Sequence, residues 1–329
     1  MKKVITAITT AATALSALSA MPASAEVYGD FEFEVLLTEE YTGIEITAYN
    51  GEASNVVIPE TIVGMPVISI GEEVFRDNFV LTDVKLPETV KEIKYSAFGN
   101  CRCLKNINMP ADLERVEEYA FTTCHALSSL EFGDKLTYVG ANGFQLCTSL
   151  DKLTIPSSLQ TVTYHSFHGL QGLEVLRFEE GVKVIEEAAF LNEFDLQKIY
   201  LPRSIESIPD YTLGCLYWGG YIVNDDVVFY GYSGTAEDYA EKFDFTFVNM
   251  CLGDVNGDGA VNALDASMIL TEYAAAATDS ESVLTEDQNS LADTDLDGAI
   301  NALDASSVLS YYAHTATGGS GDFIEYLGL

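Results

Sequence analysis

Phe75, Phe98, Phe121, Phe144, Phe167 and Phe190 recur with a constant period of 23, and no other feature constrains the fold of this chain so tightly. A Leu follows each Phe by six positions, at Leu81, Leu104, Leu127, Leu150, Leu173 and Leu196. Further apolar positions keep step at Val84, Ile107, Leu130, Leu153, Leu176 and Ile199, and Pro closes four of the units at Pro87, Pro110, Pro156 and Pro202. Coincidence does not hold one register through six copies. A unit this short cannot bury its apolar residues alone, whereas stacked copies can lay each side chain on its equivalent in the next coil. The pattern predicts a solenoid. Residues 81–87 alternate as a short strand does before Pro ends it. Adjacent coils are expected about 4.8 Å apart, the spacing of paired strands. The Phe-bearing segments, such as 95–98, are expected to form turns or partial helices on the opposite wall.

Charge bounds the partners. The 329 residues carry 16 Lys+Arg against 51 Asp+Glu, a net −35. That charge repels phosphates and anionic lipid, which argues against nucleic acid and membrane surfaces and favours cations. With 48% of residues apolar, a core can still form. Lys2, Lys3, the apolar run 4–18 and the triplet Ala23-Ser24-Ala25 have the three parts of a secretory signal peptide, with cleavage expected after Ala25. No later stretch has the roughly 18 apolar residues a membrane span needs, so no membrane insertion is expected.

Six cysteines in an exported chain raise the question of disulfides. Cys101, Cys124 and Cys147 lie one repeat apart, three positions after Phe, where the next copy has Leu170. That is a core position. Stacked Cα atoms about 4.8 Å apart would permit a bridge, but buried free thiols are favoured. Cys103, Cys215 and Cys251 have no evident partner. His165 and His168 read as polar turn residues of one copy. Nothing resembles a nucleophile elbow, a zinc-protease helix or a phosphate-cradling glycine loop. Catalytic residues: none.

The last part of the chain reads differently. Between Cys251 and Leu329 there are 14 acidic residues and no Lys or Arg. Such a segment resists compaction unless cations intervene. Its acids fall in two copies, the second beginning at Asp293 where the first begins at Asp254. A 12-residue calcium loop needs side-chain oxygens at positions 1, 3, 5, 9 and 12, a carbonyl at 7 and Gly at 6. The first copy supplies Asp254, Asn256, Asp258, Ala260 (through its carbonyl), Asn262 and Asp265, with Gly259 at the turn. The second supplies Asp293, Asp295, Asp297, Ala299, Asn301 and Asp304, with Gly298. The departure from the EF-hand is Asp, not Glu, at position 12. Two calcium ions are expected, folding the segment as they neutralise three carboxylates in the first loop and four in the second. The extra acid of the second loop predicts tighter binding there. Each loop should run into an amphipathic helix, near 263–275 and 302–313, burying Leu264, Met268 or Val308, Ile269 or Leu309, and the last Tyr.

Two resemblances follow from these residues. The unit Ala97-Phe98-Gly99-Asn100-Cys101, repeated at Ala120 to Cys124, resembles the bacterial surface-protein class of leucine-rich repeats with a period near 23. Residues 30–71 look like that class's N-terminal cap, and 229–237 like its closing repeat. The paired loop-helix units resemble the type I dockerin, the module that plugs cellulosomal proteins into cohesin domains of a scaffoldin. That resemblance implies partner contact through loop positions 10 and 11 and the helix face beyond: Ala263, Leu264 and Ser267, and in the duplicate Ala302, Leu303 and Ser306. Because Asn-Ala-Leu-Asp-Ala-Ser is identical in both copies, either face should dock.

The expected fold class is α+β and multidomain: a right-handed leucine-rich-repeat β-solenoid followed by a small all-α calcium-binding dockerin of two loop-helix motifs. The expected boundaries are 1–25 signal peptide, 26–74 cap, 75–213 repeats, 214–250 closing repeat, 251–316 dockerin and 317–329 tail. The expected function is that of a secreted, non-catalytic component of an extracellular polysaccharide-degrading complex, the cellulosome. The solenoid would be displayed to a protein or glycan ligand, a protein being favoured because its outward row (Lys85, Asn108, Glu131, Thr154, Arg177, Tyr200) has one aromatic. Alternatives are an accessory enzyme of polysaccharide breakdown and a surface adhesin or inhibitor.

Overall fold

A computed structural model of the chain describes residues 26–37, 41–278 and 280–329. The signal peptide expected over 1–25 lies outside the described residues. The coils are present and each closes on two short rows of parallel strands. One row comes from the Leu-x-x-Val-x-Leu segments: Asn55–Val57, Asp83–Lys85 and Asn106–Ile107 pair in parallel, as do Lys152–Ile155, Val175–Phe178, Lys198–Tyr200, Val228–Gly231 and Thr246–Asn249. The other row follows the Pro turns and joins Met65–Ile70, Glu92–Ile93, Arg115–Val116 and Tyr138–Val139. At the N-terminal end Glu26–Tyr28, Phe31–Leu37 and Thr42–Tyr49 form an antiparallel meander whose last strand pairs with Met65–Ile70 in parallel. That meander covers the first coil, so the solenoid begins without an open apolar face.

The repeated Phe residues form the core. Their rings stack within 1–5° of parallel at 4.9, 5.1, 5.0, 5.5 and 5.2 Å from Phe75 to Phe190. These separations are the coil spacing. Tyr49 and Phe31 of the cap continue the column. Leu213 holds the Phe register in a seventh coil and is fully buried. Burial of one such ring contributes about 2–3 kcal/mol, and the Leu, Ile and Val ladders beside the column add to it in the same core.

Turns form the wall that carries the Phe residues, and their backbone is left-handed at two recurring positions. Two positions before the ring, Glu73, Ser96, Tyr119, Asn142, His165, Ala188 and Tyr211 have φ of 51–59°. Two positions after it, Asp77, Asn100, Thr123, Leu146, Gly169 and Asn192 have φ of 59–75°. Each of the six Phe coils thus turns twice, and Gly fills only one of these positions, Gly169.

The thiols are free, as expected. Cys101, Cys124 and Cys147 donate to the carbonyls of Phe75, Phe98 and Phe121 in the preceding coil, at 2.9, 3.2 and 3.3 Å. Burial pushes Cys101 and Cys147 up to about 12, so both stay protonated and inert. In the sixth copy the same position is Glu193, fully inside the wall. Its Oε1 accepts from Gly169 N at 3.0 Å, while Oε2 has no hydrogen-bond partner. Burial pushes this carboxyl up to about 8.

Helix α1 (Thr235–Lys242) joins the last two strands of the solenoid, Val228–Gly231 and Thr246–Asn249. Tyr239 on it covers the last turn, its hydroxyl donating to Leu213 O at 2.9 Å and accepting from Leu213 N at 3.0 Å. Four helices follow: α2 (Ala263–Ala277), α3 (Glu286–Ala292), α4 (Ala302–Ala316) and α5 (Phe323–Leu327). Two of them, α3 and α5, exceed the two loop-helix motifs expected. Ile269 and Val308, which hold the same position in the two copies, meet in a small core with Ala266, Ala305, Leu284 and Phe323.

Candidate calcium loops and docking faces

Both Asx-rich segments fold as tight loops whose side-chain oxygens turn inward onto backbone N–H groups. In the first, Asp254 accepts from Asp258 N (3.1 Å) and Gly259 N (2.9 Å), and Asp258 accepts from Ala260 N (3.0 Å). In the second, Asp293 accepts from Asp297 N (3.1 Å) and Gly298 N (2.8 Å), and Asp297 from Ala299 N (2.8 Å). Gly259 and Gly298 sit at φ 85° and 84°, where a side chain would be strained.

Loop positions 9 and 12 have a second task. Asn262 is the N-cap of α2, accepting from Leu264 N at 2.8 Å, and Asp265 reaches back to Asn262 N at 2.9 Å. Asn301 and Asp304 do the same for α4, both at 2.8 Å. These are capping boxes, each satisfying orphan donors of the helix start. Asp at position 12 fits this double role, since its short carboxylate closes both loop and helix. Its other oxygen holds the start of the loop: Asp265 accepts from Asn256 N at 3.1 Å and Asp304 from Thr294 N at 2.7 Å.

The carboxylates crowd one another. Among the described residues, oxygens of Asp293, Asp295 and Asp297 lie within 4.8 Å of one another. Desolvation pushes Asp295 up from its ordinary range, with Asp304, Asp297 and Asp293 adding to the shift. Burial does the same to Asp265, with Asp254 and Asp258 adding. A donor set of carboxylates, amides and one carbonyl suits a hard divalent cation, whose charge would remove this repulsion. Asp254, Asn256, Asp258, Ala260, Asn262 and Asp265 would hold one ion. Asp293, Asp295, Asp297, Ala299, Asn301 and Asp304 would hold the other.

The six residues expected to meet a partner are all exposed: Ala263, Leu264, Ser267, Ala302, Leu303 and Ser306. Leu264 and Leu303 are 63% and 65% exposed, a close match between the two faces. The expectation that Leu264 and Leu309 are buried is corrected: both face solvent, as does Tyr273, while Ile269 and Val308 are fully buried. The cause is the capping box. With Asp265 turned back into its loop, Ala266 and Ile269 face the core, and Leu264, about 140° around the helix from Ile269, points outward. Leu270 with Leu309, and Tyr273 with Tyr312, extend the exposed apolar surface in the same order on both helices. The offset between the two loops, applied to the exposed apolar positions, would have found them.

A second exposed aromatic group lies outside the expectations from sequence. Cys215–Tyr217 and Tyr221–Val223 form an antiparallel hairpin with Trp218, the only Trp of the chain, at its tip and 79% exposed. Tyr211 stacks on Tyr221 at 4.4 Å and 10°. The two glycines after a lone Trp are the sequence signal for it.

Fold and loops together define a leucine-rich-repeat solenoid joined to a paired loop-helix module. Residues 44–172 and 139–218 match the BspA type leucine rich repeat region, in six copies, and 252–311 match the dockerin type I domain. The chain belongs to the BspA-type leucine-rich-repeat family and carries a C-terminal type I dockerin. The leucine rich repeat protein of T. pallidum, TpLRR, is 27% identical, with 52% of this chain and 90% of that chain covered and a TM-score of 0.45. A leucine-rich repeat protein from Bacteroides ovatus is 23% identical, with 63% of this chain and 55% of that chain covered and a TM-score of 0.50. This chain therefore spans about half the length of that relative, and the likeness is one of fold. No curated protein matches the chain. Type I dockerins are calcium-binding modules that pair with cohesin domains, so the chain is a protein-interaction component. Dockerin and bacterial surface-type repeats both suggest an extracellular protein, and no helix among the described residues is long and apolar enough to cross a membrane.

Proposed function

We propose that this protein is a secreted, non-catalytic component that docks through its calcium-loaded dockerin onto a cohesin-bearing scaffoldin of an extracellular polysaccharide-degrading complex, displaying the solenoid. The observation that carries the reading is the twinning. Two loops with matching inward carboxylates each start a helix with the same Ala-Leu-Asp-Ala-Ser, whose first Ala, Leu and Ser are exposed in both copies. Two ions are proposed, one per loop, with the second loop tighter because Asp295 replaces the neutral Asn256. The same reading places the cap at 26–74, the repeats at 75–213, the closing repeat at 214–250 and the dockerin at 251–316. The solenoid offers a partner two surfaces, the outward strand row and the aromatic hairpin at Trp218.

The test is capture on the immobilised full chain from the extracellular fraction of the bacterium that makes it. A cohesin-bearing protein, identified by mass spectrometry, should be retained in calcium and released by EDTA. Equal retention in both, or no cohesin among the bound proteins, overturns the reading. Turnover of plant polysaccharides by the purified chain would replace it with the accessory enzyme.

A further inference from the structure

Outward-facing positions of the last strands are buried, and the chain's own C-terminus buries them. Strand register aligns Thr154, Arg177, Tyr200, Tyr230 and Val248 in one outward row. Thr154 and Arg177 are exposed as such a row requires, yet Tyr230 and Val248 are only 3% and 4% exposed. Ile324 of α5 covers them together with Leu252, with Leu327 and Leu329 alongside. Lys198, in the neighbouring outward row, donates to Leu329 O at 3.3 Å.

The residue before Ile324 points the other way. Phe323 is buried in the dockerin core with Val255 and packs edge-on against Tyr311 at 5.2 Å. Its ring sits on the backbone entrance of the first loop: a Cβ at Gly253 would lie 2.4 Å from it and 3.1 Å from Val261. Gly253, at φ 84°, donates to Leu291 O at 2.8 Å. Between strand Thr246–Asn249 and Asp254 only residues 250–253 intervene, and Leu252 among them is buried. A flexible tether has no room here.

We propose that residues 322–329 are a tie that fixes the dockerin to the open sheet of the solenoid, and that filling of the first loop controls whether the tie holds. Phe323 and Ile324 are adjacent, so one anchors in each domain and neither can leave alone. Loop one supplies the floor of the Phe323 site through Gly253 and Val261, so collapse of that loop about a cation organises the seat. The calcium half of this proposal rests on the loop reading given above. Its consequence is directional display: the open sheet is occupied at its last strands and available to a partner at its first ones, around Val57, Lys85 and Asn108.

Hydrogen exchange of the tail in the full chain, paired with small-angle scattering, tests this. In calcium the amides of Tyr326, Gly328 and Leu329 should exchange slowly, and chelation should speed them at least tenfold while the radius of gyration grows. Ile324→Asp should do both in calcium and, because coupling between the loop and the tie is reciprocal, should weaken calcium binding at the first loop while the second still fills; Ile324→Ala serves if the first variant misfolds. Tail exchange indifferent to chelator overturns the calcium control, and unchanged exchange and scattering in the Ile324 variants overturns the tie. Absence of any calcium isotherm would sink the loop reading itself, and the Ile324 variants would then decide the tie alone.

Discussion

Glu272 and Tyr311 occupy the same place on α2 and α4, one in each copy of the duplicated unit, and each pins the chain that leaves its helix. Glu272 Oε2 accepts from Val283 N at 2.8 Å and Leu284 N at 3.1 Å. The Tyr311 hydroxyl donates to Gly321 O at 3.2 Å. The segments so held deliver Leu284 and Phe323, again equivalent positions of the two copies, into one core. The duplication thus reaches past the loops into the connectors.

Glu272→Ala should cost the dockerin about 1–3 kcal/mol, because it strips two backbone donors, one of them buried, of a charged acceptor. Tyr311→Phe should cost less than about 1 kcal/mol, its hydrogen bond being solvent-exposed while the ring still packs on Phe323. Denaturant melts in calcium, followed by a signal local to the dockerin, would show the order; equal losses would contradict it.

Docking should tolerate loss of one face. Leu264→Glu or Leu303→Glu alone leaves an intact twin, so affinity for the cohesin should fall by about the statistical factor of two. The double substitution buries a charge in whichever face docks and should abolish binding, a loss of several kcal/mol. Abolition by one single change would rule out two equivalent faces.

The solenoid is legible in the sequence because its signal repeats: Phe at a fixed spacing needs no knowledge of the backbone. The left-handed turns are hidden for the opposite reason. Their positions carry Ser, Tyr, His, Ala and Leu as well as Asn and Gly, so no residue type marks them, and cross-coil hydrogen bonds such as Phe98 N to Ala120 O (2.8 Å) hold the conformation instead. The loops are legible residue by residue, since oxygen donors must recur at set positions. The phase of their helices does not follow from Asp265 and Asp304 as ligands alone; their second role as caps sets it. Helix α3 has its own capping box, Thr285 with Gln288, which announces it to a reader who looks for one. Helix α5 is signalled in the same way, by Asp322 at its N-cap and the left-handed Gly328 at its end, but its docking is not: Ile324 finds Tyr230 and Val248 from far along the chain.

Phe121 lies between Phe98 at 5.1 Å and Phe144 at 5.0 Å. Phe121→Ala should cost about 3–5 kcal/mol, and Phe121→Leu about 1–1.5 kcal/mol. The smaller cost is consistent with Leu213 holding the same register in the seventh coil. In a double-mutant cycle Phe98 and Phe121 should couple by about 0.5–1.5 kcal/mol, the worth of an aromatic pair beyond its burial. Additive losses would mean that the rings do not support one another across the coils.

Stability of the solenoid should fall from mildly acid to mildly alkaline pH because of Glu193. Burial raises its carboxyl from 4.5 to about 8. Between those values the folded chain holds a proton that the unfolded chain has released, so each step up in pH favours unfolding. At about 1.4 kcal/mol per tenfold change the window is worth on the order of 5 kcal/mol, complete by about pH 8. Glu193→Leu, which copies Leu170 of the preceding coil, should remove this dependence and raise stability at pH 8, since Gly169 N keeps Leu191 O as an acceptor at 2.9 Å. Thermal melts of both chains at pH 5, 7 and 9 would show it. Parallel pH profiles would mean that Glu193 is ionised in the fold.

Thr123 is the one β-branched residue among the left-handed positions that follow each Phe, at φ 63° where the neighbouring coils have Asn100 and Leu146. A branched Cβ crowds the carbonyl in that conformation, and an L-residue pays about 1–2 kcal/mol there, Asn least among those with side chains. The backbone cannot relax, because Thr123 N is committed to Gln145 O at 2.7 Å in the next coil. Its hydroxyl offers little in return, a single 3.5 Å contact with the Thr122 hydroxyl. Thr123→Asn should therefore stabilise the solenoid by about 0.5–1 kcal/mol, and Thr123→Gly by less, because Gly gives part of the gain back as unfolded-chain entropy. Shifts in the denaturant midpoint at constant slope would report both. A loss in the Asn variant would show that the side chain of Thr123, and not its backbone, is what the coil requires.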